Sequence, residues 1–123
     1  MTLRQNLLKL FYPVFNSITN ATLQSNTMAP VSFYNLTLTL NNGKSFHFSD
    51  LKNKKVLLVN TASDCGYTNQ YESLQALYDQ YKGSLQIIGF PSNDFGEQEK
   101  GDDAAIEQFC KINYGINFPL SKK

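Results

Sequence analysis

From Phe33 to Leu40 the chain alternates: Phe33, Asn35, Thr37 and Thr39 interleave with Tyr34, Leu36, Leu38 and Leu40. That period of two is what a strand with unlike faces requires. Asn42-Gly43 then supplies a favoured two-residue turn, and Phe46 and Phe48 resume the alternation. The stretch SFYNLTLTLNNGKSFHFSDL therefore predicts a β-hairpin. From Val56 the pattern changes to VLLVN, a short unbroken apolar run of the kind expected for a strand buried on both faces. Helical spacing follows, with Tyr71, Leu74, Leu77, Tyr78 and Tyr81 on one face. Asn69 and Glu72 have the spacing of a capping box ahead of it. LQIIGF, from Leu85, reads as a second buried strand that Pro91 stops, and Ser92 to Gly101 reads as a polar loop. Ile106, Phe109 and Cys110 mark the apolar face of a last helix opened by Asp102 or Asp103.

Strand, helix and strand in this order form a βαβ unit, so the two strands should be parallel with a right-handed crossover. The fold class is α/β, an N-terminal β-hairpin plus βαβα, without internal repeats or low-complexity tracts. Cys65 falls between the C-terminal end of the first buried strand and the helix start. Ligands and chemistry gather at that place in open α/β sheets.

The first thirty residues follow another pattern. Leu3, Leu7, Phe11, Val14 and Ile18 recur at helical spacing with Arg4 and Lys9 off that stripe, while Pro13 should kink or end the helix. Residues 1–49 carry Arg4, Lys9 and Lys44 and no acid. A basic, acid-free, Ser- and Thr-rich leader has the composition of a mitochondrial presequence; a disordered tail with no address is the alternative. Lys9 interrupts LLKLFYPVF and argues against a secretory signal. The expected organisation is a leader over 1–30 and one domain over 31–123, localised to the mitochondrion, or to the cytoplasm for a product starting at Met28. Asn20-Ala-Thr and Asn35-Leu-Thr fit the glycosylation pattern, which is too short to carry weight.

At 123 residues the chain has room for one domain, and 41% hydrophobic with 17% charged residues reads as globular. The formal net charge of +1 hides an asymmetry: residues 50–123 hold eight Lys and ten Asp or Glu, so the domain is near neutral to slightly acidic and no basic face argues for nucleic acid. Two cysteines are too few for a disulfide scaffold, and with one histidine they make no zinc spacing, so neither metal nor cofactor is expected. No apolar run approaches the ~20 residues of a membrane span.

Cys65 is the residue with chemical promise. A thiol is only a few per cent thiolate at neutral pH, and a helix N-terminus, with unpaired N–H groups and about half a positive charge, favours the anion. Gly66 would let the backbone approach the sulfur, Thr68 and Asn69 could add donors, and Asp64 would oppose the anion unless it points outward. Placement alone leaves open a reactive nucleophile and an inert, half-buried thiol. Cys110, on an apolar helix face, reads as core filler, Gln98 as a solvated loop residue and His47 as structural.

Three segments in order carry a resemblance to the glutathione peroxidase family. VNTASDCGYTNQYESLQALYDQYK resembles its peroxidatic segment, GFPSNDFGEQEKG its second motif, and FCKINYGINFPLSKK the stretch found in fungal and plant members. The likeness runs from about Ser32 to the last residue and implies a thioredoxin-like fold. It implies that Cys65 is the peroxidatic nucleophile, that the Gln98 amide hydrogen-bonds its sulfur, and that Cys110 is the resolving cysteine of members reduced by thioredoxin rather than glutathione. The implied activity is reduction of hydrogen peroxide or organic and lipid hydroperoxides through a sulfenic acid and an intramolecular disulfide. A bridge from 65 to 110 is expected to need local unfolding of the helix that bears Cys110. The alternatives are a thiol-based peroxide sensor or redox relay, and an inactive remnant. Peripheral contact with oxidised lipid is conceivable on the same ground, and the oligomeric state stays open.

The sequence departs from the family pattern in three places. Ser92 stands where many relatives have a cysteine, and Asp94 replaces a usual glutamine. The family continues past the point reached by Lys123 with a β-hairpin, a final helix and a Trp-Asn pair at the active site, whereas this sequence has no tryptophan. The expectation is a C-terminally truncated domain lacking the closing hairpin and helix, with apolar sheet faces uncovered and a tendency to aggregate.

Overall fold

The computed structural model describes residues 30–123. The expected leader and the alternative start at Met28 lie outside the described residues.

Four strands and two helices follow one another: β1 (Thr37–Thr39), β2 (Ser45–His47), β3 (Lys55–Thr61), α1 (Gln70–Gln80), β4 (Leu85–Pro91) and α2 (Asp103–Tyr114). β1 and β2 pair antiparallel, with Leu38 opposite Phe46. Their turn is the one that Asn42-Gly43 specifies: Gly43 has φ 79°, and the Leu40 carbonyl accepts its N–H at 2.9 Å. The hairpin is shorter than its alternation suggests. Phe33–Asn35 and Phe48–Leu51 curl into 3₁₀ turns instead of extending the strands. Curling brings the Phe33 and Phe48 rings to 4.9 Å, tilted, in a cluster with Leu51 and Ile88.

β3 and β4 pair parallel and in register from Lys55 opposite Leu85 to Thr61 opposite Pro91, as a βαβ unit requires. Only β4 fulfils the expectation of burial on both faces. Ile87 enters the cluster beneath the helices, and Ile88 enters the cluster beneath the hairpin. In β3, Leu57 and Val59 reach the helical cluster and Val56 the other, but Leu58 is 47% exposed. Apolar composition marked both strands alike, yet their cover comes from elsewhere in the chain.

The segment Pro119–Lys122 supplies part of that cover. The Gly89 N–H donates to the Pro119 carbonyl and the Ser121 N–H to the Gly89 carbonyl, while the Lys122 N–H donates to the Thr39 carbonyl. This segment thereby joins the hairpin to β4. It lies so close that a Cβ on Gly89 would meet Leu120 at 2.6 Å. Gln75, buried on α1, holds the preceding turn by accepting from the Asn117 N–H at 2.9 Å.

Both helices pack on one side, with Tyr71, Ile87, Ile106, Cys110 and Phe118 in a single cluster. α2 begins as its sequence suggests: Asp102 accepts the Ala105 N–H at 2.8 Å. It ends at Gly115, whose φ of 62° allows its N–H to reach the Lys111 carbonyl. α1 departs from expectation at both ends. Asn69 has helical backbone and makes no side-chain cap bond, and Tyr81 is exposed.

Candidate active site

Between β3 and α1 the backbone makes a series of tight turns rather than entering the helix directly. The Thr68 N–H donates to the Cys65 carbonyl at 3.0 Å, and the Gln70 N–H to the Tyr67 carbonyl at 2.9 Å. Thr68, not Asn69, makes the side-chain bonds here, and they hold the turn ahead of the helix rather than cap it. Its hydroxyl accepts the Cys65 N–H at 3.0 Å and lies 2.7 Å from the Cys65 carbonyl, which pins the turn. Cys65 is therefore one turn removed from the helix end. The donor that meets its half-buried sulfur is the Tyr67 N–H, at 3.5 Å. Gly66 is not forced by close approach, since a Cβ there would meet open space. Asp64 is exposed, and its N–H donates to the Gln98 carbonyl at 2.9 Å.

That last bond brings the second loop against the first. The loop turns back at Gly96 and Glu97, both left-handed at φ 74° and 56°. The Asn93 side chain fixes its exit by accepting the Glu99 N–H at 2.9 Å. As a result Cys65 and Gln98 line one cleft of about 200 Å³ with Ala62, Ser92 and Phe95. Gln98 is half-buried there rather than solvated. Phe95 and Tyr67, beside the sulfur, are 63% and 73% exposed.

Cys110 is not part of this cleft. Its thiol is 1% exposed in the helical cluster, and it lines a different cavity, with Asn41, Lys111 and Asn117. Burial pushes the Cys110 thiol up, the neighbouring Tyr71 hydroxyl pulls it the other way, and the Glu99 carboxylate raises it further. Tyr71 is itself pushed far up, chiefly by burial, with the Thr61 hydroxyl opposing. His47 is exposed, with its Nδ1 3.2 Å from the Thr37 hydroxyl. Among the described residues no group of His, Cys, Asp and Glu could hold a metal ion.

The sequence reading missed Glu99. It lies in a loop that composition marks as polar, yet its side chain is 1% exposed and accepts the Ser63 hydroxyl at 3.0 Å. The bond ties the Cys65 turn to the second loop. No pattern within the loop signals this, because a charged loop residue is ordinarily solvated.

A model described as glutathione peroxidase matches residues 33–123. Over 97 residues the chain is 52% identical to the glutathione peroxidase-like peroxiredoxin GPX5 of Chlamydomonas reinhardtii, covering 78% of this chain and 60% of that protein. Among solved structures, Trgpx in its apo form aligns with a TM-score of 0.53 at 31% identity, covering 77% of this chain and 55% of the other. A secreted Mycobacterium tuberculosis disulfide oxidoreductase homologous to E. coli DsbE aligns with a TM-score of 0.56 at 20% identity, covering 72% of this chain and 60% of that one. The last likeness speaks to fold alone, which is thioredoxin-like. The chain spans 56–60% of the length of four curated relatives that it matches at 50–53% identity.

Proposed function

This chain belongs to the glutathione peroxidase family, and from that premise we propose that it is a thiol peroxidase with Cys65 as nucleophile. The observation that carries this reading is the Cys65 sulfur itself. It is half-buried at the C-terminal end of β3, faced by the Tyr67 N–H, and open to a cleft shared with Gln98. The Cys65 thiolate attacks one peroxide oxygen, an S–O bond forms as the O–O bond breaks, and water or an alcohol leaves. In this reading Gln98, which lines the same cleft, offers its amide to the sulfur. The exposed Phe95 ring beside the cleft supports organic as well as hydrogen peroxide as substrate.

In the second half of the cycle Cys110 resolves the sulfenic acid, and thioredoxin, or failing that glutathione, reduces the disulfide. A disulfide requires Cα atoms within about 7 Å. Cys110 is buried in α2 and lines a cavity without Cys65, so the step requires α2 to open locally. Intact mass after one equivalent of hydrogen peroxide tests the reading. The chain should lose about 2 Da through a 65–110 disulfide, whereas Cys110→Ser should gain about 16 Da as sulfenic acid. An unmodified mass in both proteins would overturn the assignment.

A further inference from the structure

Glu99 is a charged side chain only 1% exposed, and the peroxide chemistry assigned to Cys65 gives it no task. Burial of a carboxylate is costly unless bonds replace those to water. Among the described residues this one takes a single hydrogen bond, from the Ser63 hydroxyl at 3.0 Å. Both partners adjoin the reacting groups: Ser63 stands two residues before Cys65, and Glu99 directly follows Gln98. Between them the Asp64 N–H donates to the Gln98 carbonyl at 2.9 Å. One such backbone bond would leave the second loop free to pivot about it, and a side-chain bond alongside removes that freedom. The Glu99 backbone is itself anchored on both sides, its N–H donating to Asn93 and its carbonyl accepting from the Lys123 ammonium at 3.1 Å. There is room for a pivot, because Gln98 lines the Cys65 cleft and also, with Ser63 and Glu99, an adjoining cavity of about 290 Å³.

We propose that Ser63 and Glu99 are positioning residues for the peroxide step: their buried bond, beside the one from Asp64, keeps Gln98 against the Cys65 cleft. The proposal rests on the reading of Cys65 as nucleophile and of Gln98 as the group that serves its sulfur. Breaking the bond would leave a buried carboxylate without a donor, which costs more than losing a bond between neutral groups. That penalty holds the two loops in one register, so Gln98 need not reorganise as charge develops at the sulfur. Neither Ser63 nor Glu99 lines the cleft that Cys65 and Gln98 share, so both act through Gln98.

Ser63→Ala alone strips the donor and leaves the carboxylate unpaired, so it can lose function simply by unfolding. Ser63→Ala/Glu99→Met removes both partners at once and should melt close to the parent. Oxidation of Cys65 by hydrogen peroxide, followed in the full chain by intact mass at timed quenches, should slow about fivefold or more in that double variant. Glu99→Gln keeps an acceptor for Ser63 and should recover a rate within about twofold of the parent. In a Gln98→Ala background the double substitution should cost nothing further, which a merely structural bond would not show. An unchanged rate or loss of folding in the double variant, a Glu99→Gln protein as slow as it, or the same loss repeated in the Gln98→Ala background overturns this proposal alone. A parent chain that leaves Cys65 unoxidised, or a Gln98→Ala protein as fast as the parent, overturns instead the reading on which it rests.

Discussion

Cys65 and Cys110 carry the same thiol in opposite backbone states. Around Cys65 the chain is a succession of turns, which leaves the Tyr67 N–H free to face the sulfur. Cys110 sits inside α2, where interior amides are committed to the helix and the side chain is pressed into apolar surroundings. A sulfur anion needs donors and access. The first region supplies both beyond the end of β3, while in the second burial outweighs the neighbouring Tyr71 hydroxyl and raises the thiol pKa. Backbone conformation and cover, rather than residue type, separate the two cysteines.

The largest test of that contrast is chemical. Cys65→Ser should reduce peroxide consumption at least ~10³-fold, because serine is a far weaker nucleophile and no other thiol lies in the cleft. A variant that keeps a tenth of the parent rate in a coupled assay would erase the distinction between the two regions.

Next comes the close approach that closes the sheet beside the Cys110 cluster. Gly89→Ala forces a Cβ against Leu120, and should cost about 1–3 kcal/mol of stability by thermal or urea melting. Gly66→Ala, in the Cys65 turn, meets open space and should stay within about 0.5 kcal/mol of the parent. Equal effects would mean that the two regions tolerate volume alike.

The alkaline limb of stability should belong to the Cys110 region. Its thiol and the Tyr71 phenol both have raised pKa values in the folded chain, so the unfolded chain releases their protons first. Their contribution is complete below the ordinary thiol value of about 8.5 and is lost as pH rises through the folded values. Melting temperature should therefore fall above about pH 8.5, and Cys110→Ala should flatten the first part of that fall. An alkaline limb of unchanged steepness in Cys110→Ala would remove the thiol from the account.

The smallest effect distinguishes the two helix starts. Asp102→Ala should cost about 1 kcal/mol, because its carboxylate holds the Ala105 N–H. Asn69→Ala should be close to neutral, since Asn69 makes no cap bond and Thr68 anchors that turn. Comparable losses at both positions would restore the capping box that the sequence suggested.

Much of the fold was legible along the chain. Alternation and Asn42-Gly43 specified the hairpin, helical spacing placed Ile106, Phe109 and Cys110 on one buried face, and Asp102 announced the helix it caps. Other features resisted the same reading. Leu58 and Ile88 both belong to unbroken apolar runs, but one is 47% exposed and the other fully buried. Phe33 and Phe48 leave the strand pattern for 3₁₀ turns, where their rings meet in the cluster beneath the hairpin. The meeting of Gln98 with Cys65 was carried by likeness to a family, not by spacing. It depends on a bond from Asp64 to a loop that lies beyond α1 and β4.

The sequence by itself determined the order of elements, the turn chemistry and the position of Cys65 where a strand gives way to a helix. Those features follow from local periodicity and from the φ and ψ preferences of a few residues, which act over neighbouring positions. Tertiary structure alone decided the burial of Glu99, the close approach over Gly89, and the unequal cover of β3 and β4. Periodicity reports which face of an element is apolar, but desolvation and hydrogen-bond pairing depend on atoms that distant parts of the chain bring to that face.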